Sequence, residues 1–321
     1  MDNTGIVLLI VALASFFWGG FVTPVAIGLA NRFRILDAPG ERKLHSKITP
    51  RGAGLGLWLG YLVMCLYYVT PAIVVEDVSG AFVPYAATGA TLVFFSGYMD
   101  DMKSLPAVLR LFIHLLAAAL AIYPIELPLF SYFIAVIWIA GVASAYNLID
   151  GINGLCLSIF ITSSTALFLM GKLGAGVSWS SMSFGISLAA MALGTICWNF
   201  PKAHTFLGDG GSTLLGFIYA THVIESMSGT LGKTLPHILI LLLALFGGLP
   251  VLDTAFAFTR RIMNGKSPFT PDRAHLHHRL IDLKLSVFWA VFAMVIIQAL
   301  VLYAGALVFI RIRNYGLGIR D

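Results

Sequence analysis

Apolar residues gather along this chain in runs of about 20, divided by short polar stretches, and that coarse alternation overrides any finer period. Ten runs stand out, at roughly 6–30, 54–75, 83–98, 108–125, 129–146, 155–171, 180–198, 211–227, 236–258 and 285–310. Each predicts a helix, because a backbone in lipid must satisfy its own N–H and C=O groups. The third run is short and is expected to tilt or to be covered by its neighbours. The run from Ile6 has no basic segment before it and is long enough to span, so it reads as a retained first helix rather than a cleaved leader.

The polar stretches alternate in character. Those near 31–53, 99–110, 199–211 and 259–284 are rich in Lys and Arg, whereas the opposite set carries Lys172 and Lys233. The positive-inside rule puts the basic set in the cytoplasm and the N-terminus outside; the tail with Arg311, Arg313 and Arg320 then runs against the rule. Composition agrees with lipid as the main solvent: 59% of the residues are apolar and 11% charged, with a mean hydropathy of +0.90. Cys65, Cys156 and Cys197 sit in or beside apolar runs, without disulfide or zinc spacing. No repeat, linker or heptad pattern appears. The expectation is an all-α polytopic protein of about ten transmembrane helices, a single integral-membrane domain over 1–321 surrounded by membrane lipid, with no nucleic-acid partner.

The polar residues that could do chemistry fall on the cytoplasmic side. Asp100-Asp101 closes one apolar run, and two adjacent carboxylates at a membrane edge repel unless a cation neutralises them. Asn147, Asp150 and Asn153 recur every third residue, which on a helical end would share one face, and Gly151 and Gly154 would let a ligand approach the backbone. Gly208-Asp209-Gly210-Gly211-Ser212 opens another run, where exposed N–H groups could hold a phosphate and Asp209 its cation. In Asp272-Arg-Ala-His275-Leu-His277-His278-Arg279 the histidines suggest zinc, but flanking Arg273 and Arg279 favour a diphosphate. The loop from Asp37 to Gly56 holds Lys43, His45 and Lys47 and could take an acidic headgroup or simply anchor the membrane face. Plain turns and caps would account for each cluster alone. Their coincidence on one face points to a shared site.

Five ordered stretches, RKLHSKITPRGAG, YMDDMKS, NLIDGINGL, WNFPKAHTFLGDGGSTLLG and DRAHLHHRL, resemble those of the polyprenyl-phosphate N-acetylhexosamine-1-phosphate transferases. The resemblance runs from Asp37 to Leu280. It implies Mg²⁺, with Mn²⁺ as an alternative, a UDP-N-acetylhexosamine donor, undecaprenyl phosphate as acceptor and UMP as product, in a bacterial inner membrane. By position, Asp100 and Asp101 match the family's acidic pair and are expected to be catalytic, and Asp209 matches its metal aspartate, with Asp100 able to assist in holding the metal. Asn147, Asp150, Asn153, Asn199 and Phe206 match the nucleotide pocket, the ring of Phe206 being expected to stack on uracil. His275 and His278 are then expected to be catalytic, and Lys43, His45, Lys47, Gly210, Arg273, His277 and Arg279 to hold phosphate or sugar. Asn153 stands where the family usually has Asp, Ala53 replaces a glycine and His114 stands where Gln is common. Absence of the Pro-Thr-Met-Gly-Gly form and of a third consecutive histidine places the likeness on the UDP-GlcNAc branch. The resemblance leaves a homodimer open.

Two other classes remain to be separated: a secondary transporter, which would use charges near mid-membrane, and a metal-dependent membrane phosphohydrolase. Few acids lie inside the runs. Glu225 is near an outer end, and Asp253 near an inner end, where Arg260 or Arg261 is expected to pair with it.

Overall fold

The computed structural model describes residues 3–39, 47–75, 78–173, 179–267 and 274–315. Its helices are α1 (Asn3–Arg32), α2 (Ala53–Val75), α3 (Val78–Met102), α4 (Ala107–Ala121), α5 (Leu129–Ile149), α6 (Leu155–Lys172), α7 (Trp179–Ile196), α8 (Gly208–Leu231), α9 (Pro236–Met263), α10 (Leu276–Asp282) and α11 (Val287–Tyr315). Every apolar run falls on a helix, and α10 is a short addition inside the histidine loop. The strands are two residues each: β1 (Leu36–Asp37) pairs antiparallel with β2 (Thr49–Pro50), setting Asp37 opposite Thr49. The fold is all-α, and α1, α5, α6, α9 and α11 are long and apolar enough to cross a membrane.

α8 falls outside that set for a physical reason. It carries Gly, Ser and Thr along its length, together with His222 and Glu225, and most of it is buried. It packs against α3, α5, α2, α6, α4, α7 and α9. A helix enclosed by other helices gains from small residues that permit close approach, whereas lipid-facing hydrophobicity is irrelevant to it. Its hydroxyls turn back to their own backbone: Thr221 Oγ1 donates to Phe217 O at 3.0 Å and Ser226 Oγ to His222 O at 2.6 Å. Glu225 near its far end accepts a hydrogen bond from Ser181.

α9 is broken in mid-course. Gly248 has φ +64° and ψ −157°, and Pro250 follows; proline has no N–H to offer Phe246 O. Freed backbone groups at such a depth need protein partners. Tyr219 OH donates to Phe246 O at 2.7 Å, Trp138 Nε1 to Leu243 O at 2.7 Å, and Leu249 N–H to Gln298 Oε1 at 2.6 Å. Three helices, α5, α8 and α11, therefore hold the break, and the half-helix beyond it leads to the polar end.

At that end α2, α3 and α8 meet almost backbone to backbone. A Cβ on Gly54 would stand 2.7 Å from Gly211 N, and one on Gly97 would stand 2.6 Å from Asp209 O. The glycines of both motifs are there for this convergence.

Candidate active site

Asp101 is the keystone of the polar end. Its side chain, 2% exposed, accepts the backbone N–H groups of Asp209 at 3.0 Å and Gly210 at 3.2 Å, capping α8. Arg51 Nη1 reaches it at 2.5 Å while Arg51 Nη2 holds Asp37 at 2.6 Å. Gly208, with φ +72°, can only be glycine, since a Cβ there would meet the Asp101 carboxylate. This corrects two expectations. The anion at the α8 N-terminus is Asp101 rather than a phosphate, so the Gly210 N–H is already committed. Asp101 itself is enclosed and tied by three donors, Arg51 Nη1 and the N–H groups of Asp209 and Gly210, which fits a holding role rather than one at the reacting atoms.

Its neighbour faces the other way. Asp100 accepts Leu105 N–H at 2.6 Å and Arg110 Nη1 at 2.5 Å, and it shares a hydrogen bond with Asp209. Arg110 Nη1 also reaches Asp209 Oδ2 at 2.8 Å, and Asn147 Nδ2 lies 3.3 Å from the same oxygen. Asn147 Oδ1 in turn accepts from Ser212 Oγ at 3.2 Å. Burial first, then the bond to Asp100 and the charge of Asp101, pushes the Asp209 carboxyl up to about 7. Burial works on Asp100 in the same direction, but the bonds from Asp209 and Leu105 and the charge of Arg110 outweigh it and hold Asp100 below the usual carboxylate range. The two carboxylates thus stand together under one guanidinium. One positive charge leaves such a pair only half-neutralised when both are ionised, and it suits a second, stronger cation.

Asp150 joins them electrostatically. Half-buried, it has no hydrogen-bond partner for its carboxylate among the described residues. Burial, followed by the charges of Asp209 and Asp101, lifts it to about 7. The period-three reading of this motif is corrected in one respect: α5 stops at Ile149, Asp150 is its C-cap, and Gly154 at φ +76° turns the chain into α6. Asn147 alone remains on a helix. Asn153 points back to the chain, donating to Pro201 O at 3.2 Å.

Asn199 is 4% exposed and uses both ends of its amide internally, accepting Gly154 N–H at 2.7 Å and donating to Thr205 O at 2.8 Å. Both ends of the amide are thus engaged within the fold, joining the Gly154 turn to the segment before α8. Phe206 is partly buried; its N–H donates to Pro50 O at 2.9 Å and its carbonyl accepts Ala53 N–H at 3.2 Å, stitching the segment to the first loop.

The three histidines separate into different environments. His275 Nδ1 lies 2.7 Å from Asp253 Oδ2, so the expected pairing of Asp253 with Arg260 or Arg261 is replaced by this one. His277 is 1% exposed and packs on Gly151, where a Cβ would collide with its ring; among the described residues neither ring nitrogen has a hydrogen-bond partner. Burial, with the neighbouring imidazoles, depresses its pKa to about 3. It docks the histidine segment onto the Asp150 turn and has no open side for sugar or phosphate. His278 is half-buried and lies against His277, with ring centroids 4.2 Å apart and planes tilted by 44°. Arg279 is exposed and lines a cavity of about 660 Å³ with Arg260, Asp253 and the apolar Leu252, Phe256 and Met263. Lys43, His45 and Arg273 lie outside the described residues, and Lys47 is exposed.

Each motif therefore touches another: the first loop through Arg51 and Asp101, the acidic pair through Asp101 and the α8 backbone, the asparagine motif through Asn147 and Asp209, and the histidine segment through His277 and Gly151. Arg51 and Arg110 were read from sequence only as membrane-side basic residues. Their partners, acids in other motifs, become visible only once the chain is folded.

The sequence profile described as Glycosyl transferase family 4 matches residues 83–227. A Bacillus subtilis protein named "Probable undecaprenyl-phosphate N-acetylglucosaminyl 1-phosphate transferase" is 30% identical over 305 residues, 89% of this chain and 80% of the relative. The chain belongs to glycosyl transferase family 4. Within that family, a Thermotoga maritima relative named "Undecaprenyl-phosphate alpha-N-acetylglucosaminyl 1-phosphate transferase" is 29% identical, covering 80% of this chain and 77% of the relative. A Mycobacterium leprae relative named "Decaprenyl-phosphate N-acetylglucosaminephosphotransferase" is 28% identical, with 82% and 74% covered. The family 4 match spans α3 to α8, and so includes Asp100, Asp101, Arg110, Asn147, Asp150 and Asp209.

Proposed function

We propose that this protein transfers N-acetylglucosamine 1-phosphate from UDP-GlcNAc to undecaprenyl phosphate, releasing UMP and a lipid-linked diphosphate sugar, the first membrane step of a cell-envelope glycan. The observation that carries the reading is the Asp100–Asp209 pair bridged by Arg110, in a family whose relatives are named for this reaction. The largely apolar cavity along the second half of α9, with Arg260 and Arg279 in its lining, suits a polyprenyl chain with its phosphate at the basic edge. The same reading makes the protein one multi-pass domain of the bacterial inner membrane with ten spans, α10 being the helix that does not cross, and with the polar end in the cytoplasm.

The residues fit Mg²⁺. That ion takes one or two carboxylates and completes its shell with water and substrate phosphates, and among the described residues there is no group of three or more His, Cys, Asp or Glu that would make an all-protein cage. Asp100 and Asp209 would hold it, and it would supply positive charge to the diphosphate oxygens. A phosphate monoester has a second pKa of about 6 and is mostly dianionic at neutral pH, so the acceptor needs little help from a base. One of its oxygens bonds to the sugar-bearing phosphorus as the bond from that phosphorus to the bridging oxygen breaks, and the electron pair leaves on UMP. Arg110 holds the carboxylates in register, and Asp150 with Asn147 offers an acceptor and a donor to the nucleotide. Reducing repulsion among the assembled anions is the main task in such a transfer.

Purified protein given UDP-GlcNAc, undecaprenyl phosphate and Mg²⁺ should form UMP and the lipid-linked sugar together. UMP without acceptor would indicate a hydrolase, and uptake into vesicles without UMP a transporter. For the topology, a cysteine placed in the 259–284 loop, with Cys197 replaced, should react only from the cytoplasmic side, and one beside Lys233 only from outside.

A further inference from the structure

The histidine segment has no local reason to sit where it does. α10 is seven residues long, too short to be stable by itself, and its N-cap position is His275, whose side chain makes no capping bond. A residue 23 positions away supplies what is missing: Asp253 Oδ1 accepts Leu276 N–H at 3.0 Å while Oδ2 meets His275 Nδ1 at 2.7 Å. His275 is 5% exposed, so the contact is sheltered from water. Asp253 stands five residues beyond the break at Gly248, on the half-helix whose first N–H, that of Leu249, Gln298 accepts, while Tyr219 and Trp138 hold the carbonyls before the break. One carboxylate thus fixes both an imidazole and the start of the helix that carries His277, His278 and Arg279.

A carboxylate can only accept, so the proton of a neutral His275 must lie on Nδ1, leaving Nε2 with its lone pair. We propose that Asp253 is a positioning residue for the transfer, acting through His275 by fixing its tautomer and by anchoring α10 against the cavity. This rests on the transfer reaction proposed above. Asparagine keeps the size of Asp253 but offers a single acceptor oxygen and an NH₂ donor. It can cap Leu276 or accept from Nδ1–H, and its NH₂ favours the opposite tautomer.

The test uses the full-length protein in detergent with Asp253→Asn, Asp253→Glu, His275→Ala and the double variant Asp253→Asn/His275→Ala. Expected for Asp253→Asn is a kcat lower by about 10- to 100-fold, the usual cost of losing a partner that orients a functional imidazole, with KM for UDP-GlcNAc within about threefold of wild type. Asp253→Glu should recover part of the loss. The double variant should be no slower than His275→Ala alone, because two residues acting as one unit are not additive. Independently of activity, amide exchange of peptides covering 274–285 should quicken roughly tenfold in Asp253→Asn, as for a lost charged hydrogen bond, with α8 peptides unchanged. A kcat within threefold of wild type, multiplicative losses in the double variant, or unchanged exchange would each overturn the proposal. A wild-type protein that forms no UMP, with the exchange difference still present, would count against the transfer reading while leaving the anchoring contact standing.

Discussion

Replacing Asp209 by asparagine separates the metal-free and metal-loaded roles of the carboxylate pair. In the structure Asp209 hydrogen-bonds Asp100 and lies 2.8 Å from Arg110 Nη1 and 3.3 Å from Asn147 Nδ2. Asparagine is the neutral isostere of the acid: its NH₂ can donate to Asp100, and its oxygen can accept from Arg110. Without divalent cations, therefore, Asp209→Asn should unfold within about 1 kcal/mol of wild type, the scale of a single hydrogen bond. With Mg²⁺ the two proteins should part, because the amide contributes no charge to an ion. Loss of one electrostatic stabiliser at such a centre costs about 3 kcal/mol or more, hence a kcat at least 100-fold lower at saturating Mg²⁺. The assay is UMP release with UDP-GlcNAc and undecaprenyl phosphate, paired with thermal unfolding at graded Mg²⁺. An Asp209→Asn protein within tenfold of wild type, still raised in Tm by Mg²⁺, would move the ion away from this pair.

The remaining expectations follow from the same contacts. Asp150 and Asp209 are both raised to about 7 from an ordinary value of 3.8, so the folded state binds protons that the unfolded state releases between those limits; stability of the metal-free protein should fall as pH rises from about 4 to about 7 and level off above, with Mg²⁺ raising Tm more at pH 8 than at pH 5.5. Unfolding curves across that range check it, and a rise in metal-free stability with pH would contradict the assignment. Gly208→Ala should destabilise by about 1–3 kcal/mol, since it forces a Cβ into a left-handed position against Asp101; denaturant midpoints decide. Asn153→Asp should keep kcat within about tenfold and change mainly the KM for UDP-GlcNAc, as for a ground-state contact remote from phosphorus; a 100-fold loss of kcat would place Asn153 in the reaction centre.

The helices were legible because lipid imposes a one-dimensional rule: a run of about 20 apolar residues must be helical whatever surrounds it. That rule reached even α3 and α8, whose small polar residues face protein rather than lipid. Asp100, Asn147, Asp150 and Asp209 were legible for a related reason, as charged or amide groups at run ends have few structural uses. The roles within the clusters were not. Whether a helix N-terminus holds phosphate or a carboxylate depends on which acid folds over it, and Asp101 belongs to a motif 108 residues earlier than Asp209. Asn199 and His277 carry polar atoms suited to ligands, yet local packing turns one onto Gly154 and Thr205 and the other onto Gly151.

The break in α9 connects these two kinds of information. From sequence, Gly247-Gly248-Leu249-Pro250 inside an apolar run could signal a kink or nothing, because glycine and proline are tolerated in membrane helices wherever neighbours satisfy the backbone. The structure spends three side chains from α5, α8 and α11 on that satisfaction, and a Cβ on Gly248 would collide with the Gln298 amide. A smoothly continuous helix would have needed none of them. The half-helix beyond the break carries Asp253 and one wall of the cavity, from Leu249 to Met263, so the direction it takes decides where His275 and Arg279 sit. Gln298 should therefore matter to the polar end although it lies well inside an apolar run: Gln298→Leu leaves the buried N–H of Leu249 unpaired, at a cost of about 1–3 kcal/mol, and its effect on turnover should track a loosened histidine segment rather than a changed carboxylate pair.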